Sequence, residues 1–419
     1  MRFLLPAAAA CLAACGSPGN EAATVSSQPE TPVLQTIATP DPCSVGPMPA
    51  DTPAAYKGRN HYVCQLPPPE IASDAALAQL GDERLTLQAD GDVLTMLMRS
   101  ENGAEPIECC SLQGVEWSQI DESAVWVTRL RLLDLQSGML KQVSVSLGPD
   151  TIITEDDWVE WRGPGAPDMP EFDPELEGQV IETELYSPEL EETRRIEVYL
   201  PPGADLGTPL PVIFMADGGV DWHARYIEPL IRSGKIRPVL LIGLPSGQNG
   251  IVEDRSELGN DIRNLDYLIP DAIPEAFGIS RFDAHLKFVT DTLLSHIRET
   301  YPASPEWRNT VVTGGSSGGG FALNAALRAP ATFGHSWPMS PGSGDLRAPI
   351  ENWDGPKPAF RLSAGYYEPS FLKSAMRTEE NLRASGFDVD THWFAAGHST
   401  DQREIRFVEN LKAVFPAED

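Results

Sequence analysis

Seven consecutive small residues, Gly314-Gly315-Ser316-Ser317-Gly318-Gly319-Gly320, place two adjacent serines where a nucleophile could stand. They follow the apolar run Val311-Val312-Thr313 and precede the Ala/Leu-rich residues 321–327. The pattern predicts a strand, a tight turn and a helix. It strains a serine at the turn, with glycines two residues to either side leaving room for the bend. A serine held in this way attacks a carbonyl carbon once a base takes its proton. The Gly-x-Ser-x-Gly spacing fits two frames, one centred on Ser316 and one on Ser317. Counting 311–314 as strand leaves Gly315-Ser316 to make the bend, so the expectation is that Ser317 is the nucleophile. The competing readings are a glycine-rich turn without chemistry and a phosphate-cradling loop. The second lacks the lysine that should follow the glycines.

A base and an acid must follow the serine in chain order, and three histidines do: His335, His392 and His398. His335 comes too early and enters a strand, and His392 sits inside the alternating strand-like run 389–394. His398 follows Ala395-Ala396-Gly397 in a loop beyond the last strand, where its ring can reach over the sheet edge, and is the expected base. The strand 360–365 lies between nucleophile and base, and Glu368, three residues past it, is the expected acid that fixes the imidazole tautomer. Asp388, Asp390 and Asp401 compete for that role. The oxyanion needs two N–H donors, each worth about 3 kcal/mol in the transition state. Gly318 supplies one in this reading. The Gly218-Gly219 turn after the apolar strand 211–215 supplies the other.

These residues resemble a known family. From Gly178 to the C-terminus the chain looks like the esterase D-type α/β-hydrolases, and within them it is most similar to the enterochelin (ferric-siderophore) esterases. The resemblance rests on Arg195-Ile196-Glu197-Val198-Tyr199-Leu200-Pro201-Pro202-Gly203, the Asp217-Gly218-Gly219 turn and the serine elbow. It continues through Phe333-Gly334, Gly365-Tyr366-Tyr367-Glu368-Pro369 and Gly397-His398. It implies an α/β-hydrolase fold, a mostly parallel sheet flanked by helices, preceded by a small all-β sandwich domain. It also implies a nucleophile at Ser317 and a base at His398. Arg255-Ser256-Glu257-Leu258 resembles the family's Arg-x-x-Glu-Leu segment one residue short, which suggests substrate binding by Arg255. After Pro341-Gly342-Ser343 the family's tryptophans are missing, so an aromatic wall for a catechol ring is not evident. Residues 259–280 are expected to form a lid or pocket wall.

Residues 1–14 read as a signal peptide whose Leu12-Ala13-Ala14-Cys15 ending resembles a bacterial lipobox, predicting lipidation at Cys15 and a membrane anchor. Gly16 at the next position favours the outer membrane. Residues 15–42, rich in Ser, Thr, Pro, Ala and Glu, read as a flexible tether. Residues 43–165 carry short apolar runs at 85–87, 93–98, 124–133 and 143–147 separated by turn residues, the pattern of a β-sandwich. Trp126 in that stretch is placed like the family's N-terminal-domain tryptophan and is read as a core residue. Cys43, Cys64, Cys109 and Cys110 suit disulfides in an extracytoplasmic compartment, with Cys109 and Cys110 expected to pair outward rather than with each other. Residues 166–177 read as linker and 178–419 as the catalytic domain.

With 31 basic against 61 acidic residues the formal charge is −30, which argues against nucleic acid or an anionic lipid surface as a ligand. No cysteine or histidine spacing suggests a metal site. The sequence therefore reads as a cofactor-free serine esterase acting on a small-molecule ester, with a siderophore as leading substrate class. The alternatives are a feruloyl or acetyl-xylan type carbohydrate esterase and a catalytically inactive surface binding module.

Overall fold

The computed structural model describes residues 62–100, 105–112, 115–145, 158–205, 207–244, 246, 262–269, 280–342 and 344–417. Cys15, the tether, Cys43 and Arg255 lie outside the described residues, as do the side chains of Cys109 and Cys110. The described chain forms two units, one comprising 62–135 with 142–159, the other 136–141 with 160–417. Among the described residues, no helix is long and apolar enough to cross a membrane.

The N-terminal unit is built on antiparallel pairing of short alternating strands. Its strands are β1 (Val63–Gln65), β2 (Leu85–Asp90), β3 (Val93–Arg99), β4 (Ile107–Cys110), β5 (Ser118–Gln119) and β6 (Val125–Leu132), with helix α1 at Ser73–Leu80. One sheet runs in the order β1-β6-β3-β2, with β5 paired to β6. Ala76 and Leu80 of α1 pack with Leu97, Ile120, Val125 and Val127. A second, three-stranded sheet orders β4, β7 (Met139–Val145) and β8 (Trp158–Arg162). The apolar runs read from sequence fall on β2, β3, β6 and β7. Trp126 departs from expectation: it is half-buried, because β6 alternates and Val125 and Val127 take the buried face. Cys64 is disulfide-bonded.

In the C-terminal unit, strands buried on both faces read as continuous apolar runs. They are β11 (Val212–Ala216) and β12 (Leu240–Leu244), buried throughout, and β13 (Thr310–Gly315), buried up to Gly314. With β9 (Gln179–Ser187), β10 (Glu192–Leu200), β14 (His335–Met339), β15 (Ala359–Gly365) and β16 (Val389–Phe394) they form one eight-stranded sheet. Its order is β16-β15-β14-β13-β11-β12-β10-β9. The pairs from β12 through β11 to β16 are parallel, and β10 pairs antiparallel with both β12 and β9. Alternate residues of β11 feed two cores: Val212, Phe214 and Ala216 enter one, Ile213 and Met215 the other.

Helices cover the sheet through apolar stripes at helical spacing. Helix α2 (Val220–Arg232) buries Val220, Ala224, Ile227 and Leu230. Helix α3 is short (Ile262–Tyr267); α4 (Arg281–Lys287) and α5 (Leu294–Thr300) are joined by a π-helical turn, Phe288–Leu293. Helix α6 (Ser317–Arg328) follows β13, α7 (Pro369–Ala384) follows β15, and α8 (Thr400–Val414) follows β16. This is the α/β-hydrolase architecture expected from sequence, behind an N-terminal β domain.

Candidate active site

Four adjacent parallel strands end on the same side, and each delivers one polar residue at or just beyond its C-terminal end: Ser316 after β13, Ser340 after β14, Glu368 after β15 and His398 after β16. Such sheet ends are where open α/β folds place their chemistry.

The elbow resolves the choice of frame against the sequence expectation. β13 continues through Gly315, which pairs with Met339 of β14, and α6 begins at Ser317. The whole bend therefore falls on Ser316, with φ 58° and ψ −125°, a strained conformation for a residue with a side chain. Ser316 is held there by its N–H to Met339 O (3.0 Å) and by N–H bonds from Gly320 (3.0 Å) and Gly342 (2.8 Å) to its carbonyl. Ser317 is an ordinary first-turn helical residue, buried, and its Oγ donates to Asn264 Oδ1 at 2.6 Å. The sequence argument failed by one residue because glycine carries no preference that would end the strand at Gly314 rather than Gly315.

The glycines around the elbow are required by close approach. A Cβ on Gly314 would lie 2.6 Å from Gly318 C and O, and a Cβ on Gly318 would lie 2.8 Å from the Ala216 Cβ. The helix start thus sits directly on the strand ends. The N–H groups of the first turn, Ser317 and Gly318 among them, have no intrahelical acceptor and carry the positive end of the helix dipole.

Glu368 and His398 form a buried pair, as the sequence expected of them. His398 Nδ1 lies 2.5 Å from Glu368 Oε2, with the histidine 8% exposed and the glutamate fully buried. Glu368 ends the turn after β15 and is the cap residue of α7, with Pro369 at the first helical position, where a missing N–H costs nothing. Its second oxygen accepts from Gly365 N (2.5 Å), Ser340 Oγ (2.6 Å) and Gln402 Nε2 (3.0 Å). A carboxylate with this many donors is fixed in place. The imidazole is further held by Phe371, stacked at 4.1 Å and 21°. Ser340, Gln402 and Phe371 are supporting residues the sequence reading missed. Gln402 lies in the first turn of α8, just past the His398 loop.

His398 Nε2 accepts a hydrogen bond at 2.8 Å from Arg403 Nη2. A guanidinium can only donate, so the imidazole is neutral with its proton on Nδ1, shared with Glu368. Burial lowers the His398 pKa, and the positive charge of Arg403 lowers it further, against the opposing effect of Glu368. The Arg403 guanidinium also lies against the elbow: a Cβ on Gly315 would be 2.8 Å from Nη1 and 2.9 Å from Cδ and Cζ.

The other expected site residues fall differently. The Asp217-Gly218-Gly219 turn has three successive positive φ values, 71°, 74° and 76°. Its N–H groups are already engaged: Gly218 N donates to Met215 O at 3.3 Å and Gly219 N to Glu197 Oε2 at 3.0 Å. Glu197, reaching over from β10, also accepts from Val220 N (3.4 Å) and caps α2, so the turn is not a free oxyanion donor as the sequence suggested. Part of the stretch expected to be a lid or wall is the buried helix α3. Tyr267 accepts from Asp217 N at 2.9 Å and donates to Leu244 O at 2.5 Å, and Asp266 pairs with Arg194 and Arg281. His392 is half-buried on β16 and bonded to Glu409 at 2.8 Å, and His335 opens β14; neither joins the site. Of the competing acids, Asp390 pairs with Arg361 and Arg406, and Asp401 with Arg162. Among the described residues no group of three or more His, Cys, Asp or Glu side chains could hold a metal ion.

Comparison with known proteins bears on the family and the fold. Residues 187–358 match the family model described as "Putative esterase". No curated protein matches the sequence. Among solved structures, the enterobactin esterase of Shigella flexneri determined in the presence of enterobactin is 15% identical, with a TM-score of 0.54, covering 83% of this chain and 99% of that one. The enterochelin esterase structure from the same organism gives 14% identity, a TM-score of 0.54, and 80% and 97% coverage. The ferric enterobactin esterase of Salmonella typhimurium gives 14%, 0.51, 80% and 98%. This chain therefore carries an esterase-family domain on the α/β-hydrolase fold that the enterochelin esterases share, preceded by a β domain.

Proposed function

We propose that the protein is a serine carboxylic ester hydrolase in which Ser316 is the nucleophile, His398 the general base and Glu368 the acid that orients it. The observation that carries this reading is the Arg403 guanidinium, which touches both the elbow at Gly315 and His398 Nε2. Gly315 directly precedes the strained Ser316, which supports reading that serine and the neutral imidazole as one site.

In the first half-reaction Ser316 Oγ bonds to the ester carbonyl carbon while its proton passes to His398 Nε2. The carbonyl oxygen becomes an oxyanion at the N-terminus of α6, where the Ser317 N–H is the donor adjacent to the nucleophile. The C–O bond to the alcohol breaks, and the alcohol leaves with the proton from His398. Water then attacks the acyl-enzyme, giving its proton to His398, and the carboxylic acid leaves as Ser316 takes that proton back. The Glu368 carboxylate stabilises the imidazolium in both steps.

A siderophore or another acyl ester of a small polar molecule is the substrate class proposed, supported by the sequence resemblance and by the enterobactin esterases among the fold's neighbours. Lipidation at Cys15 and an extracytoplasmic, outer-membrane address are proposed from the sequence of the first residues alone. The catalytic assignment is tested by comparing Ser316→Ala with Ser317→Ala on a 4-nitrophenyl ester. The first is expected to lose activity to background with the fold intact by circular dichroism. The second should keep activity within about tenfold, since it removes one hydrogen bond to Asn264. The reverse ranking overturns the assignment.

A further inference from the structure

His398 stands in the middle of a loop, and both ends of that loop are tied to a part of the chain far from it in sequence. Three residues before it, the Ala395 carbonyl accepts from Met139 N at 2.8 Å, and Met139 forms a parallel bridge with Ala396. Three residues after it, Asp401 Oδ2 accepts from Arg162 Nη1 at 3.0 Å. Met139 begins β7 and Arg162 ends β8, two strands that pair with each other. Gly163 N donates to Gly138 O at 2.9 Å and closes the same end of that pair. Residues 136–141 and 160–165 belong to the unit that carries the catalytic residues, although they precede the matched esterase segment 187–358.

Successive carbonyls of an extended chain point to opposite edges. Phe394 O and Ala396 O accept from Tyr366 N (2.7 Å) and Tyr367 N (2.9 Å) on the β15 side, so the Ala395 carbonyl faces outward, past the edge of the eight-stranded sheet. Met139 N satisfies it there. The buried Met139 side chain packs with Phe394, Ala396 and Ile405, and Ala166 and Met169 lie against that cluster. At the other end, Asp401 stands in the turn of α8 that carries Gln402, bonded to Glu368 and to Gly397 O (2.6 Å), and Arg403, bonded to His398. Arg162 is half-buried and also donates to Pro167 O, which fixes the guanidinium that holds Asp401.

We propose that Met139 and Arg162 are positioning residues for the catalytic base: they clamp the loop 395–401 at both ends and so set where His398 Nε2 meets the nucleophile. The inference rests on the esterase reading above. The imidazole nitrogens are bonded to Glu368 and Arg403, so the clamp acts through the backbone of the loop and the first turn of α8. A misplacement of about 1 Å at the reacting atoms can cost on the order of 10²-fold in rate, which makes the anchoring of a loop-borne base a catalytic matter.

The full-chain wild type, Arg162→Gln, Arg162→Lys, Asp401→Asn and the double variant Arg162→Gln/Asp401→Asn are assayed for kcat and KM on a 4-nitrophenyl ester. Amide hydrogen exchange of the peptide spanning 394–403 is followed by mass spectrometry in the same proteins. Arg162→Gln is expected to lower kcat about tenfold with KM within about twofold, because only the base is misplaced. Exchange in 394–403 should quicken while the thermal midpoint stays well above the assay temperature. Arg162→Lys, which restores a cation opposite Asp401, should recover most of the lost kcat. The double variant should lose no more than the worse single variant, the mark of one shared contact. Met139→Ala empties part of a buried cluster and is expected to lower stability along with kcat, so the Arg162 series carries the decision. A kcat within about twofold of wild type in Arg162→Gln, or a loss that falls on KM, overturns the clamp. Unchanged exchange in 394–403 overturns it as well. No hydrolysis by folded wild-type protein overturns the esterase reading instead, and the exchange measurement then still decides whether Arg162 holds the loop.

Discussion

Glu368 is held by three donors on one oxygen before His398 reaches the other, so the carboxylate cannot turn to accommodate a substitute. Glu368→Gln would present an amide N–H to Nδ1 and favour the imidazole tautomer that has no lone pair at Nε2. A fall in kcat of roughly 10³-fold or more is expected, with KM little changed. A loss under about tenfold would remove Glu368 from the mechanism. The protonation of His398 sets a second prediction. Its pKa is lowered first by burial and next by Arg403, so the neutral, proton-accepting form persists to more acidic pH than an ordinary imidazole at 6.5. The acid limb of kcat/KM on a neutral ester should therefore lie below pH 6.5, activity falling as the ring protonates. A limb above that value would mean that neither burial nor Arg403 acts on the working base.

At the scale of elements, the elbow depends on a strand end and a helix start in backbone contact. Gly314→Ala places a Cβ 2.6 Å from Gly318 backbone atoms and 2.9 Å from the Ala216 Cβ, none of which can move without shifting an element. Thermal denaturation should show a destabilisation of about 1–3 kcal/mol or more, as for overpacked cores. Unchanged stability would contradict the packing described. Much of this layer was legible in the residues. The apolar runs of β11 and β13, the alternation in β16 and the loop after β16 all reported their element types. The frame of the elbow was not legible, because Gly314-Gly315 is equally content as strand or turn and only pairing with β14 decides it. Nor were Asn264, Ser340, Gln402 and Arg403, whose roles come from the sheet order that gathers distant segments beside the elbow. The 216–219 turn misled for a related reason: the glycines were visible, but the Glu197 carboxylate that engages one of their N–H groups lies on another strand.

At the scale of the whole molecule, 61 acidic against 31 basic residues impose self-repulsion on the folded chain. Surface charges separated by more than about 10 Å are screened at 0.1 M salt. The melting temperature is therefore expected to rise between ~0.01 and ~0.5 M sodium chloride, and a fall would show that attractive surface pairs outweigh the repulsion. The sheet order brings the ends of β13, β14, β15 and β16 together, and the account stands on the serine that this arrangement strains. The most direct measurement is labelling of the folded protein with a fluorophosphonate, the modified residue being located by peptide mass spectrometry. The account predicts a label on Ser316 that disappears in His398→Ala. A label on Ser317, or no label on folded protein, would contradict it.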